Sequence, residues 1–188
     1  MSEKADMHNR YAIVAGATGK WRITSLTNRC GDGLDAAPAL DMWSASSLIP
    51  SADAPWVLYG VMSNVRYAQR DELTALKAVQ EPLGRDSSRR AALIPIRKSA
   101  AWWTLAQDER RAIFEETSHH NRIGMDYLPA VARQLFHCRD LGEPFDFLTW
   151  FEYAPEYADA FDELVARLRE TREWTYVERE IDIRLERD

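Results

Sequence analysis

The chain has 188 residues, 46% of them hydrophobic and 29% charged, which suits one domain, or two small fused halves, around a core that needs no staples. Its formal net charge of −6 argues against a nucleic-acid backbone as partner. An anionic ligand would therefore have to be held by a local cation rather than by the overall field.

Met1–Arg10 is polar and mixed in charge, with no apolar signal core, and nowhere does the apolar run reach the roughly 18 residues of a membrane span. The expectation is a soluble, cytoplasmic protein with no membrane partner. Tyr11–Ala15 and Trp21–Leu26 read as two strands of a hairpin joined by Gly16–Lys20, GATGK. That turn is too short for a phosphate loop, and Trp21 stands where a magnesium-ligating hydroxyl would be needed. Asn28–Asp41 reads as a loop rich in Gly, Asp, Ala and Pro, and Trp56–Tyr67 as a strand. A helix is expected over Arg70–Gln80, then a polar connection at Gly84–Arg90 and a short buried strand at Ala91–Ile96. Cys30 and Cys138 have no second cysteine nearby, so neither a cysteine metal motif nor a disulfide framework is expected.

The second half is more strongly patterned. Thr104 and Gln107 have the spacing of a capping box, opening a helix near Leu105 that runs to about Asp126. Ile113, Phe114, Thr117, His120 and Gly124 give it an inward stripe, with Tyr127 just beyond. Pro129 disfavours helix at Leu128 and ends the segment. Val131–Cys138 follows as a strand, Asp140–Pro144 as a turn and Phe145–Tyr153 as a second strand. Pro155 opens a helix to about Glu170 that buries Tyr157, Phe161, Leu164, Val165 and Leu168, and Trp174–Leu185 closes as a half-buried strand. Strand–helix–strand–strand–helix–strand over roughly residues 91–188, with a reduced echo over 11–98, makes the fold class α+β. The expected architecture is two ferredoxin-like halves, 1–98 and 99–188, forming a dimeric α+β barrel.

The break at Pro129 decides what His120 and Arg133 can do. On one continuous helix they would stand about 20 Å and about 220° apart, and no small ligand could touch both. If the chain reverses, the strand bearing Arg133 can pass on the far side of a pocket from the helix bearing His120, and a flat cofactor can lie between them. Seven tryptophans, with Trp102 and Trp103 adjacent, are numerous enough to line such a pocket as well as to fill a core.

The segments IRKSAAWW (Ile96–Trp103), SHHNRIGMDYLPAVAR (Ser118–Arg133) and FDFLTWFE (Phe145–Glu152), with YGVMSNVRY (Tyr59–Tyr67) and the closing strand, resemble the small-subunit, dimeric type of the chlorite dismutase family. The resemblance covers most of residues 56–186. It implies haem b in the C-terminal half, homodimers, and conversion of chlorite to chloride and dioxygen through oxygen transfer to ferric iron and O–O bond formation. It also implies His120 as the proximal iron ligand, with His119 a competitor for that place. Glu173 would be the carboxylate on its other ring nitrogen, a partner that fixes the tautomer and raises ligand basicity. Arg133 would be the distal cation and Gln80 the residue that holds it. Lys98, Trp102 and Tyr67 would lie around the haem edge and propionates, while Trp103 and Trp150 fit core or subunit contacts equally well. Alternative readings on the same fold are a coprohaem decarboxylase or peroxidase, a non-catalytic haem-binding module, or a cofactor-free barrel. Arg133 speaks against the decarboxylase, whose family members generally lack that distal arginine.

Overall fold

The structure is a computed structural model that describes residues 9–44, 53–62 and 69–188. Eight strands form a closed antiparallel barrel: β1 (Arg10–Gly16), β2 (Trp21–Cys30), β3 (Ala39–Ser44), β4 (Val57–Met62), β5 (Arg90–Lys98), β6 (Ala132–His137), β7 (Phe147–Tyr153) and β8 (Val177–Glu186). Around the ring they stand in the order β1-β3-β2-β8-β5-β7-β6-β4, with β4 closing on β1. The helices are α1 (Arg70–Val79), α2 (Ala100–Thr104), α3 (Gln107–Arg111), α4 (His120–Met125) and α5 (Ala158–Arg169), with a π-helical turn at Ala112–Thr117.

Alternation along the strands builds two cores. Ala91 and Leu93 of β5, Leu148 and Trp150 of β7, and Ile181, Ile183 and Leu185 of β8 point into the barrel, where they meet Trp21, Leu40 and Phe136. The intervening residues, Ala92, Ile94 and Ile96 on β5 and Phe147 and Phe151 on β7, point outward against Phe161, Leu164, Val165 and Leu168 of α5. Each strand thus contributes to both layers with a period of two. Pro95 lies within β5; it stands opposite Leu148 of β7, and pairing with β8 passes from Leu93 to Ile96. A residue without an N–H is tolerated where the ladder is interrupted.

Several sequence expectations need correction. The segments around Tyr11–Ala15 and Trp21–Leu26 are not a hairpin: β3 lies between β1 and β2, with Gly16 opposite Ala39 and Trp21 opposite Leu40. A Cβ on Gly19 would lie 2.7 Å from the Leu40 carbonyl oxygen, so the turn passes too close to β3 for any side chain. The loop expected at Asn28–Asp41 is confined to 31–38, because β2 extends to Cys30 and β3 begins at Ala39. It is held by Arg179, whose guanidinium donates to the carbonyls of Asp32 and Gly33 at 2.6 and 2.8 Å and lies over the Phe145 ring. Of the strand expected at Trp56–Tyr67, Val57–Met62 is observed and the part beyond it lies outside the described residues.

The single helix expected from Leu105 to Asp126 is three short pieces. The Thr104 hydroxyl donates to the Ala101 carbonyl rather than capping, and Leu105 and Ala106 are extended. Helix α3 starts where the Glu109 carboxylate accepts the Ala106 N–H at 2.7 Å. Thr117 is exposed rather than inward, and so is Tyr157 at 42%. Pro155 opens a 3-10 turn that turns the Tyr157 ring away before α5 begins. The closing strand starts at Val177, since Arg172–Tyr176 forms another such turn. Both cysteines are free, as expected. No helix among the described residues is long and apolar enough to cross a membrane.

Where β8 faces α5 it carries charge. Asp182 accepts hydrogen bonds from Arg169 and Arg184, Arg169 also pairs with Glu180, and Arg184 reaches Asp162. Burial alone would raise the Asp182 carboxyl, but the bonds from Arg184 and Arg169 outweigh it and hold the group below the usual carboxylate range. Asp182→Asn is expected to lose about 2–3 kcal/mol in urea denaturation at neutral pH. A depressed folded value means that this stabilisation is present above about pH 4 and fades as the pH falls below it, so the two proteins should converge in acid.

Candidate functional site

On the outer face of β5, β6 and β7, beneath α4 and α5, lies a cleft with mostly apolar walls. Ile94, Ile96, Leu135, Phe147 and Phe151 rise from the sheet, and Leu164, Val165 and Leu168 come from α5. Only a few polar side chains interrupt this lining, among them His120, Glu173 and Lys98 from one group of elements and Arg133 from β6. The cleft thus joins the two residues that the break at Pro129 was expected to bring together.

The histidine side is held by local backbone geometry. After the π-helical turn the chain reaches His119 with φ at +53°, a left-handed conformation that costs a non-glycine residue of order 1 kcal/mol. This reversal starts α4 afresh, leaving His119 exposed and His120 against the cleft. Glu115 caps the new helix by accepting the Asn121 N–H at 2.7 Å. Phe114, carried on the π-helical turn, stacks on the His120 ring with centroids 4.3 Å apart. His119 is therefore the hinge and His120 the functional candidate.

Nδ1 of His120 lies 2.6 Å from Oε2 of Glu173. The other carboxylate oxygen accepts from Lys98 Nζ at 2.6 Å, and the Glu173 N–H donates to Ser118 Oγ at 2.9 Å. Lys98 and Glu173 are buried, with side chains 2% and 3% exposed, and the ammonium sits over the rings of Trp102 and Trp174. Burial would raise the Glu173 carboxyl, but the His120 imidazole and the Lys98 ammonium override it and hold it at about 2. With Nδ1 engaged, Nε2 is the ring nitrogen left to bind a ligand.

Arg133 presents the opposite situation. Its Nη2 is buried without a hydrogen-bond partner, and burial lowers its pKa. Arg133 as a whole is partly buried and has no counter-ion among the described residues, an arrangement that becomes more favourable when an anion occupies the space beside it. Gln80, just past the end of α1, donates from Nε2 to the Arg133 backbone carbonyl at 2.9 Å. Helix α1 is itself anchored by the bidentate pair of Glu72 with Arg111 on α3, at 2.6 and 2.8 Å.

Trp102 lines the cleft and is almost fully buried, whereas Trp150 fills the barrel interior. Trp103 lies beside the cleft, donating to Asp146 and flanked by Arg139 and Arg110. Tyr67 lies outside the described residues. Two contributors escaped sequence reasoning, Ser118 and Phe114 in its role as a ring stacked on the imidazole. The available signal was the Thr117–Ser118 pair of hydroxyl residues, which competes with helix backbone bonding just before His120.

No group of three or more His, Cys, Asp or Glu side chains among the described residues could hold a bare metal ion. One imidazole nitrogen in an apolar cleft, backed by a carboxylate and faced by an unpaired cation, suits a metal that arrives with a planar ligand set of its own. The cleft lies on the outer face of a closed antiparallel barrel, between sheet and helices, which makes the chain an α+β barrel protein with a binding cleft on its sheet. A sequence model of the chlorite dismutase family matches residues 37–186, which include His120, Arg133 and Glu173, and the chain belongs to this enzyme family. It is 57% identical to a dimeric chlorite dismutase of Nitrobacter winogradskyi, whose crystal structure superposes with a TM-score of 0.87 over 95% of this chain and 99% of that one. The chlorite dismutase of Candidatus Nitrospira defluvii, solved in complex with imidazole, is 29% identical with a TM-score of 0.58 over 70% of this chain and 55% of that one. The chlorite dismutase of Ideonella dechloratans is 28% identical over 127 residues, 66% of this chain and 42% of that protein. The chain thus spans less than half the length of that curated relative.

Glu173→Gln would leave the Lys98 ammonium buried without its counter-ion. We expect a loss of about 3–5 kcal/mol in chemical denaturation at pH 7, part of it recovered in the Lys98→Met, Glu173→Gln double variant. Because the folded carboxyl stands at about 2, below its unfolded value near 4.3, the wild-type advantage should be complete above pH 5 and shrink as the pH falls toward 2.

Proposed function

We propose that the protein is a haem b enzyme that converts chlorite to chloride and dioxygen, working as a homodimer. The observation that carries this reading is the opposition, in one apolar cleft, of a carboxylate-backed imidazole and a partly buried arginine whose buried Nη2 has no partner among the described residues. Family membership and 57% identity to a dimeric chlorite dismutase support the reaction and the assembly.

His120 would hold the iron through Nε2, with Glu173 fixing the tautomer and Lys98 and Ser118 fixing Glu173. The carboxylate would keep the imidazole electron-rich and so make it a stronger metal ligand. Lys98, spent on Glu173, serves the proximal charge system, and Trp102 and Trp174 shield it from water. When bound, haem supplies the oxygen-transfer and O–O bond-forming chemistry. Arg133 would hold the chlorite anion, and other small anions, within the cleft. At about 4 Å and an effective dielectric near 20, its charge attracts an anion by roughly 4 kcal/mol before desolvation is subtracted. Nη2 of Arg133 is already buried in the folded chain, so part of that desolvation is not incurred again on binding. Gln80 would set the height of Arg133 by holding its backbone.

We also read the barrel as two ferredoxin-like halves. The orders β4-β1-β3-β2 and β8-β5-β7-β6 are the same arrangement of four consecutive strands, fourth-first-third-second. On this reading the halves divide ahead of β5, since that strand pairs with β7 and β8. The first half is reduced, having only Ala17–Lys20 where the second has helices between its first two strands.

The test is an oxygen-electrode assay with chlorite on haem-loaded protein. Arg133→Ala should keep the Soret band but release trappable hypochlorite and bleach within far fewer turnovers. His120→Ala should lose tight haem binding altogether. Full oxygen yield without bleaching in Arg133→Ala would remove the arginine from the mechanism, and absence of a Soret band in the haem-treated wild type would remove the whole reading.

A further inference from the structure

Between α4 and β6 the chain turns through Leu128–Ala130, and the backbone carbonyls of Pro129 and Ala130 are both taken by a side chain from a distant segment. Arg85 donates from Nη1 to Pro129 O at 3.2 Å and from Nη2 to Ala130 O at 3.0 Å. Its neighbour Gly84 donates its N–H to the carboxylate of Glu152 at 2.6 Å, and that carboxylate also accepts from Trp150 Nε1. Glu152 is a buried residue of β7 that stands opposite both Ala132 of β6 and Ala91 of β5. Arg187, just past β8, grips the same segment by donating to the carbonyls of Arg85 and Ser88 at 2.6 and 3.0 Å. Gly84 has φ at +83°, which lets its N–H face Glu152 while the next side chain reaches the turn.

We propose that Arg85 is a positioning residue for Arg133: it clamps the 129–130 turn and so fixes where the distal cation stands relative to His120. Arg133 follows the clamped carbonyl of Ala130 by three residues, and the bonds within the turn itself leave the Pro129 and Ala130 carbonyls to Arg85. Pro129 has no N–H to give, and the Val131 N–H is directed back to Tyr127 O at 3.0 Å. The guanidinium suits the task because its rigid fork spans two adjacent carbonyls, a geometry that a lysine ammonium cannot match. Besides the β6–β7 ladder, in which Arg133 stands opposite Phe151, Gln80 holds the Arg133 carbonyl and Arg85 holds the turn ahead of it. In its functional consequence this inference rests on the reading of Arg133 given above; in its structural content it does not.

The test compares Arg85→Met and Arg85→Lys with Arg179→Met, which removes a similar guanidinium-to-carbonyl clamp on the 31–38 loop. In haem-free protein, amide exchange should accelerate over residues 130–135 in Arg85→Met, less so in Arg85→Lys, and not in Arg179→Met. In haem-loaded protein the Soret band and haem retention should survive in all three. Fluoride affinity and kcat/KM for chlorite should fall by about tenfold in Arg85→Met alone, the scale expected when a catalytic group is displaced by less than about 1 Å. Unchanged exchange over 130–135 would overturn the inference whatever the wild type does with chlorite. Equal losses in Arg85→Met and Arg179→Met would also overturn it, since they would mean general destabilisation. Altered exchange with an inactive wild type would count against the proposed function and leave the clamp standing.

Discussion

The buried pair of Lys98 and Glu173 is the interaction on which the site depends. A carboxylate and an ammonium withdrawn this far from water are costly unless each remaining lone pair and proton is used. Here they are used: one oxygen takes Lys98, the other takes His120, and the Glu173 backbone is held by Ser118. Lys98 ends β5, His120 begins α4 and Glu173 sits in the 3-10 turn before β8, so one charge system ties three separate parts of the chain. Its second effect is chemical, because with Nδ1 engaged the imidazole has a single orientation.

The arginine side is built on the opposite physical principle. Where Glu173 and His120 Nδ1 have their partners, Arg133 has a buried Nη2 with no hydrogen-bond partner among the described residues. That arrangement costs stability and persists because the backbone around it is over-determined by Gln80 and Arg85. The cleft therefore has one face held by a hydrogen-bonded charge system and one that carries an unpartnered guanidinium nitrogen.

The C-terminal half was legible because its signals are local and strong. The alternation of β7 and β8, the apolar stripe of α5 and the punctuation at Pro129 each follow from a few neighbouring residues. His120, Glu173 and Arg133 were found through resemblance and fall on one site, although as isolated residues each reads as unremarkable. What escaped was non-local. Strand β3 was hidden in a segment whose Gly, Asp, Ala and Pro content suggests a loop, although Leu40 and Met42 alternate inward there. Its insertion between β1 and β2 depends on barrel closure, which no short window records. The helix expected over 105–126 looked continuous because its stripe is continuous; the break falls at His119, beside Ser118, whose hydroxyl accepts the Glu173 N–H from 55 positions away.

The two-sided use of β5 and β7 has an evolutionary consequence. Leu148 and Trp150 fill the barrel while Phe147, Thr149 and Phe151 line the cleft, so inserting or deleting one residue in either strand would exchange both linings at once. Divergence in these strands is thereby limited to substitution in place. Changes of length are tolerated instead in connections such as 31–38, which carry neither lining.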